Sequence, residues 1–142
     1  MKITEAMRDP RAMDDGVWVS PVPGNPEFRV KARIRGQKHQ QRIGKYQAEW
    51  ARIYGSRGAP ESVIQEVVSR ILFEECIVEF EGLFPDEGFE DVSRDAVQRY
   101  CATFQGQPLY VHFLTAANMV EARRAADIEE ASGNLEPLSL GI

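Results

Sequence analysis

The strongest constraint on the fold is an eight-residue stretch in which cationic and apolar side chains alternate. It runs from residue 28 to residue 35, and every second position is arginine or lysine. Side chains of a β-strand point to opposite faces with a period of two, so this stretch predicts a strand with one cationic and one apolar face. The cationic residues are Arg29, Lys31, Arg33 and Arg35, and the apolar residues are Phe28, Val30, Ala32 and Ile34.

A shorter apolar segment precedes this strand and completes a hairpin. Residues 16–20 (GVWVS) have the composition of a strand, whereas residues 21–26 (PVPGNP) favour a turn. Proline cannot donate a ladder hydrogen bond, and Gly-Asn pairs are typical of turns. We therefore predict a β-hairpin over residues 16–36, ended by Gly36. Two strands are not stable alone, so the apolar face must pack on another element.

After the hairpin the period of the apolar residues changes from two to about 3.6, the period of an α-helix. Residues 46–54 show this spacing. A broad apolar stripe predicts the longest helix, which begins at Pro60, reaches residue 81 and ends before Gly82. Ser93 is a favourable N-cap for a helix that reaches residue 104, and Pro108 opens a further helix that reaches residue 131.

These elements predict an α+β fold in a mostly helical single domain over residues 16–131. The N-terminal β-hairpin at 16–36 packs on about three helices within the helical part, residues 46–131. Residues 1–15 are polar and carry turn signals, which predicts a loose leader, and residues 132–142 are expected to form a flexible tail.

Composition places the chain among ordinary globular proteins. It has 142 residues, of which 43% are hydrophobic and 27% are charged. It has no apolar run near the ~20 residues of a membrane-spanning helix and no signal-peptide core at its start, so we expect a cytoplasmic protein without a membrane association. Cys76 and Cys101 lie in apolar stretches and are expected to be buried free thiols, as in a reducing compartment.

Residues that could support catalysis are few. The chain has two histidines, His39 and His112, and neither stands in a metal-binding motif. No glycine-rich loop has the spacing and the lysine that a phosphate site requires. Carboxylates between residues 74 and 81 have the spacing of a solvated helix face. We expect no enzyme activity, no catalytic residue, no cofactor and no metal.

Charge is distributed unevenly along the chain. Residues 1–58 carry 12 of the 17 Lys+Arg and 6 of the 22 Asp+Glu, a net charge of +6, whereas residues 59–142 carry −11. The cationic face of the predicted strand allows three interpretations. It is a plain solvated face, it docks on an acidic protein surface (the chain's own acidic half included), or it contacts the phosphates of a nucleic acid, which ranks last.

The order of several segments resembles the small tail assembly chaperones of long-tailed bacteriophages and prophages. The segments are GVWV (16–19), FRVKAR (28–33), IVEFEGL (77–83), FEDVSRDA (89–96) and LYVHFL (109–114), followed by Asn118 and Glu121. Members of that family often end a helix with V-x-W-E-G-L/I, and Phe80 stands where the tryptophan is common. The resemblance covers residues 15–124, apart from the proline-rich connection at 21–26 and residues 45–57.

The resemblance implies a non-enzymatic protein of the host cytoplasm that is absent from the mature virion. Chaperones of this family bind the tape measure protein and help to recruit the major tail protein, and self-association is possible. A structural tail or connector component of the virion, or a small nucleic-acid-binding protein that uses residues 29–35, is the alternative. An apolar groove would accept amphipathic helices of the partner. The expected partner-binding residues are Arg29, Lys31, Arg33, Arg35, Phe80, Phe84, Phe89, Tyr110 and Phe113.

Overall fold

The alternating segment forms the central strand of a three-stranded antiparallel sheet. The strands are β1 (Val17–Val19), β2 (Arg29–Ala32) and β3 (Ile77–Glu81), in that spatial order. The computed structural model describes residues 15–84 and 91–133, and side chains up to residue 130. β1 and β2 form the predicted hairpin, which is thereby confirmed.

The register of the sheet places the apolar residues of β2 on its inner face. Val30 pairs with Val19 on one side and with Phe80 on the other, and both Val30 and Ala32 are fully buried. Lys31 pairs with Trp18 and with Glu79, on the opposite face. The predicted alternation is therefore confirmed as far as residue 32, because it separates a core face from the opposite face. The strand itself is shorter than predicted, since β2 ends at Ala32 and residues 33–35 continue as irregular chain.

Within residues 15–84 and 91–133, four helices accompany the sheet and confirm the α+β single-domain fold class. They are α1 (Gln37–Tyr54), α2 (Glu61–Glu75), α3 (Arg94–Cys101) and α4 (Gln107–Gly133), and a 3-10 turn at Gly55–Arg57 follows α1. Ser93 is the N-cap of α3 as predicted, since its side chain accepts a hydrogen bond from the amide of Ala96. α3 ends at Cys101, three residues before the predicted end.

The prediction of one helix from Pro60 to residue 81 was wrong. α2 ends at Glu75, and residues 77–81 form β3 instead. The sequence Ile-Val-Glu-Phe-Glu alternates in its last four residues, and β2 offers it an open edge on which to pair. Gly82 therefore ends a strand rather than a helix. The sheet has three strands where a two-stranded hairpin was expected.

The helical part also begins earlier than residue 46. α1 starts at Gln37, directly after Gly36, and continues through Gly44. Arg42 on α1 forms ion pairs with Glu74 (2.6 Å) and Glu75 (2.9 Å) on α2. None of the 18 residues of α1 is fully buried, so these polar contacts supply much of its attachment.

The last helix is longer than predicted. α4 reaches Gly133, two residues into the stretch expected to be a flexible tail. The prediction of a loose leader concerns residues 1–15, and all but residue 15 lie outside the described residues. Residues 134–142, the rest of the expected tail, also lie outside them.

The core lies between the inner face of the sheet and α2, α3 and α4. Its centre is Phe113, whose ring contacts those of Phe28 (5.7 Å between centroids), Phe73 (4.8 Å) and Phe80 (5.3 Å). Edge-to-face packing of this kind adds to the burial of the rings. The other buried members include Val30, Ala32, Leu72, Cys76, Ile77, Val97, Cys101, Ala116, Ala117 and Val120.

Both cysteines belong to this core, which confirms the prediction of buried free thiols. Burial raises the pKa of Cys76 and of Cys101 to about 12. Both thiols therefore stay protonated at neutral pH and are poor nucleophiles, because the thiolate is the reactive form.

Candidate functional site

The cationic residues of β2 lie on the exposed face of the sheet, next to carboxylates of β3. Arg29 forms an ion pair with Glu81 at 3.2 Å, and its guanidinium lies 4.7 Å from the ring centre of Trp18. Lys31 lies directly across from Glu79 in the register of the sheet. The expected cationic row is thus interleaved with negative charge from the acidic half of the chain.

Arg35 binds a carboxylate on α4. Glu121 accepts hydrogen bonds from the Arg35 backbone N–H (2.7 Å), Nε (2.9 Å) and Nη2 (3.0 Å). Burial alone would raise the pKa of Glu121, but the hydrogen bonds and charge of Arg35 outweigh burial and lower that pKa. Arg35 therefore has an internal role that ties the connection between β2 and α1 to α4.

Arg33 is the cation of this set with an unmet hydrogen-bonding group. Its Nε is buried and has no hydrogen-bond partner within the described part of the chain. Its backbone N–H donates to the carbonyl of Cys76 at 2.7 Å. This main-chain hydrogen bond joins the residue after β2 to the residue after α2.

The aromatic residues expected to bind a partner separate into core and surface. Phe113 is fully buried, and Phe80 and Tyr110 are half-buried against the core. Burial raises the pKa of the Tyr110 hydroxyl. Phe84 is 67% exposed. The prediction for Phe89 lies outside the described residues. Among the aromatic members of the set that the structure describes, Phe84 therefore offers the most surface to a partner.

Phe84 lies at the edge of an apolar groove with a volume of about 340 Å³. One wall comes from the β1–β2 connection and the start of β2, a second from the residues after β3, and a third from the first turns of α4. The lining residues are Val22, Asn25, Phe28, Gly82, Leu83, Phe84, Leu109 and His112.

Gly82 is the residue that lets two of these walls meet. Its φ of +78° is a conformation that side-chain-bearing residues rarely adopt, and a Cβ there would lie 1.9 Å from the carbonyl oxygen of Glu27. The chain leaving β3 can therefore cross the chain entering β2 only with glycine at this position. Leu83 and Phe84 follow directly and are placed by that crossing.

The groove is suited to an apolar side chain rather than to a reaction. Its walls are mainly aliphatic and aromatic, and its polar members are Asn25 and His112. Glu27, beside the groove, is exposed. Over residues 15–84 and 91–130, no three His, Cys, Asp or Glu side chains come close enough to hold a metal ion. An apolar cleft with few polar groups is typical of a binding site.

Sequence reasoning located this region through Phe84 and the start of the last helix, but missed Val22, Leu83 and Leu109 as lining residues. Leu109 stands four residues before Phe113, so helical spacing placed it on the core side. Val22 lies between two prolines in a predicted turn, where no periodicity applies. Only the meeting of three distant segments brings these residues together.

Comparison of the chain with known protein families, with curated proteins and with solved structures finds no match. Among the helices of the described residues, none is both long enough and apolar enough to cross a membrane.

Proposed function

We propose that the protein is a non-enzymatic tail assembly chaperone of a long-tailed phage or prophage, acting in the host cytoplasm. It binds amphipathic helices of the tape measure protein, keeps them soluble and assists assembly of the tail tube, where the major tail protein is a possible further partner. The proposal rests on the segment order that resembles this family. The observation that carries it is the apolar groove with exposed Phe84 at its edge.

The groove fits this role because a tape measure helix must present apolar side chains to any protein that keeps it soluble. Insertion of such a side chain between Val22, Leu83 and Leu109 would remove it from water in the helix-in-groove manner. The phenyl ring of Phe84 could then close over it. Interface residues contribute most when they become fully desolvated in a well-packed pocket, so the Phe84 ring would contribute through its enclosure.

The second candidate function, a nucleic-acid-binding protein, depends on a cationic face at β2. Arg29 is paired with Glu81, Arg35 with Glu121, and Lys31 lies opposite Glu79. Phosphates would have to compete with these carboxylates, so the arrangement favours the interpretation in which the strand docks on the chain's own acidic half.

Co-expression with the tape measure protein of the same phage tests the proposal. Wild-type protein is expected to increase the soluble fraction of the tape measure protein, and Phe84→Ser is expected to remove most of that increase. Ile53→Ser is the matched control, because Ile53 is also a large exposed apolar residue (54%) but lies on α1, away from the groove.

Two results would contradict the proposal in different ways. If the tape measure protein is as insoluble with the wild-type chain as without it, the chaperone function is wrong. If Phe84→Ser and Ile53→Ser behave alike and both keep it soluble, the groove is not the binding site. Finding the protein in purified virions would instead support a structural tail or connector component.

A further inference from the structure

Over its first 14 residues, α4 is as free of charge on its outer face as on its inner face. Residues 107–120 contain no Asp, Glu, Lys or Arg. The inner face packs in the core through Phe113, Ala117 and Val120. A surface helix normally carries charged residues on its solvent side, and a helix that is apolar all round is normally covered all round. The outer face of α4 therefore lacks the composition of a solvated surface.

The outer face of α4 consists of residues spaced three or four apart, so they form one stripe along the helix. Val111 is 52% exposed and Met119 is 38% exposed. Phe104, in the turn at the N-terminal end of α4, is 81% exposed. The stripe consists of Pro108, Val111, Thr115, Met119, Ala122 and Ala126.

We propose that this face binds a second copy of the same chain, with the two α4 helices packed antiparallel about a two-fold axis at Thr115. This inference is independent of the proposed function. An isologous contact requires a surface that is complementary to itself. Residues at equal distances on either side of Thr115 then face each other across the axis.

The stripe meets this requirement residue by residue. Val111 and Met119 lie four positions before and after Thr115, so they face each other. Pro108 faces Ala122, seven positions away on each side. Phe104 lies in the turn before α4, so the register of the helix does not pair it with a residue of the second copy. Larger side chains thus oppose smaller ones, which allows two helices to approach closely.

The polar groups near the axis are compatible with burial. The hydroxyl of Thr115 donates a hydrogen bond to the carbonyl of Val111 at 2.8 Å, so it needs no partner from the second copy. On the flanks, His112 would face Asn118 and Gln107 would face Arg123. The pairing therefore brings no two like charges together.

The available area fits a reversible dimer. A helix face of this length buries on the order of 500 Å² per copy, or about 1,000 Å² in total, which is the lower limit for a specific interface. We expect dissociation in the micromolar range.

Sedimentation velocity of the full chain between about 2 and 200 µM tests the inference. The mass is expected to rise from the monomer value of 16.0 kDa to twice that value. Val111→Glu and Met119→Lys, as single variants, are each expected to weaken the dimer at least tenfold, because each buries an unpaired charge. Ile53→Glu, on the exposed side of α1, is the control and is expected to leave dimerisation unchanged.

The double variant Val111→Glu/Met119→Lys tests the pairing itself. Positions 111 and 119 are two turns apart within one helix, but across the proposed axis the two introduced charges of opposite sign face each other. The double variant is therefore expected to recover dimerisation. Circular dichroism checks that each variant keeps its helix content.

Three results would overturn the inference. The first is a wild-type chain that stays monomeric at 200 µM. The second is a dimer that tolerates Val111→Glu. The third is a folded double variant that fails to recover dimerisation, since the antiparallel pairing about Thr115 requires that recovery.

Discussion

Two arginines link segments that lie far apart in the chain. Arg35, three residues after β2, binds Glu121 on α4 through three hydrogen bonds. Arg94 on α3 donates to the carbonyl oxygens of Phe73 and Ile77, and to that of Val78 at 3.1 Å. Arg94 thereby satisfies carbonyl groups where α2 ends and β3 begins, which a helix end otherwise leaves without partners.

Replacement of Arg94 should destabilise the fold through these carbonyl groups. For Arg94→Leu we expect the free energy of unfolding to fall by about 1–2 kcal/mol, because hydrogen bonds from a charged donor are lost at a partly buried junction. Arg99→Leu on the same helix is the control and should change stability by less than about 0.5 kcal/mol. Urea unfolding measures both. Equal effects of the two substitutions would contradict the assigned role.

Stability at acidic pH should depend on the Arg35–Glu121 pair. Its contacts lower the pKa of Glu121 below the ordinary value of 4.5. The stabilisation is therefore complete above pH 4.5 and is lost as the pH falls through the lower pKa of the folded state. We expect Glu121→Gln to flatten the decline of unfolding free energy between about pH 5 and pH 3.

Glu130→Gln is the control for this pH dependence, because Glu130 is exposed near the end of α4. Unfolding curves at a series of pH values would show whether the two variants differ. If Glu121→Gln keeps the wild-type decline, the ion pair does not contribute the expected stabilisation.

β3 is the element whose type could not be predicted from its local sequence. Residues 77–81 continue an apolar pattern that suits a helix as well as a strand. The choice is made by pairing with β2, whose residues lie 45 to 52 positions earlier. The hairpin and α3 were predictable because turn residues and the Ser93 cap act locally. The groove was predictable only in part, since it forms where three distant segments meet.

Gly82 should be more sensitive to substitution than a glycine with open space around its Cα, such as Gly44. For Gly82→Ala we expect a loss of about 2–4 kcal/mol, because the new Cβ would collide with the Glu27 carbonyl at a φ of +78°. Gly44→Ala is the matched control within α1, where the Cβ meets nothing within 4 Å. It should stabilise the protein by about 0.5–1 kcal/mol.

Thermal and urea unfolding of both variants measure these opposite effects. The groove offers a second measurement, because Gly82→Ala displaces Leu83 and Phe84 and should also reduce binding of the tape measure protein. A Gly82→Ala variant as stable as the wild type would show that the chain crossing is not as close as described.

At the scale of the whole molecule, the two oppositely charged halves of the sequence are folded onto each other. Arg29 pairs with Glu81, Arg35 with Glu121, and Arg42 with Glu74 and Glu75. The uneven charge distribution in the sequence is therefore explained, at least at these positions, by ion pairs between the basic and the acidic half of the chain. The sequence allowed this as one of three interpretations but could not identify the pairs, because each joins residues at least 32 positions apart.

The placement of β2 has a consequence for synthesis on the ribosome. Phe28 and Val30 leave the ribosome long before Phe113, which follows Phe28 by 85 residues and covers it in the finished fold. At roughly 5–20 residues per second, the apolar face of this strand stays uncovered for about 4–17 s during synthesis. During this time, arginine and lysine at every second position oppose pairing of the uncovered segment with other nascent chains, since such charges disfavour edge-to-edge aggregation. The alternating charges therefore protect the protein before it is complete.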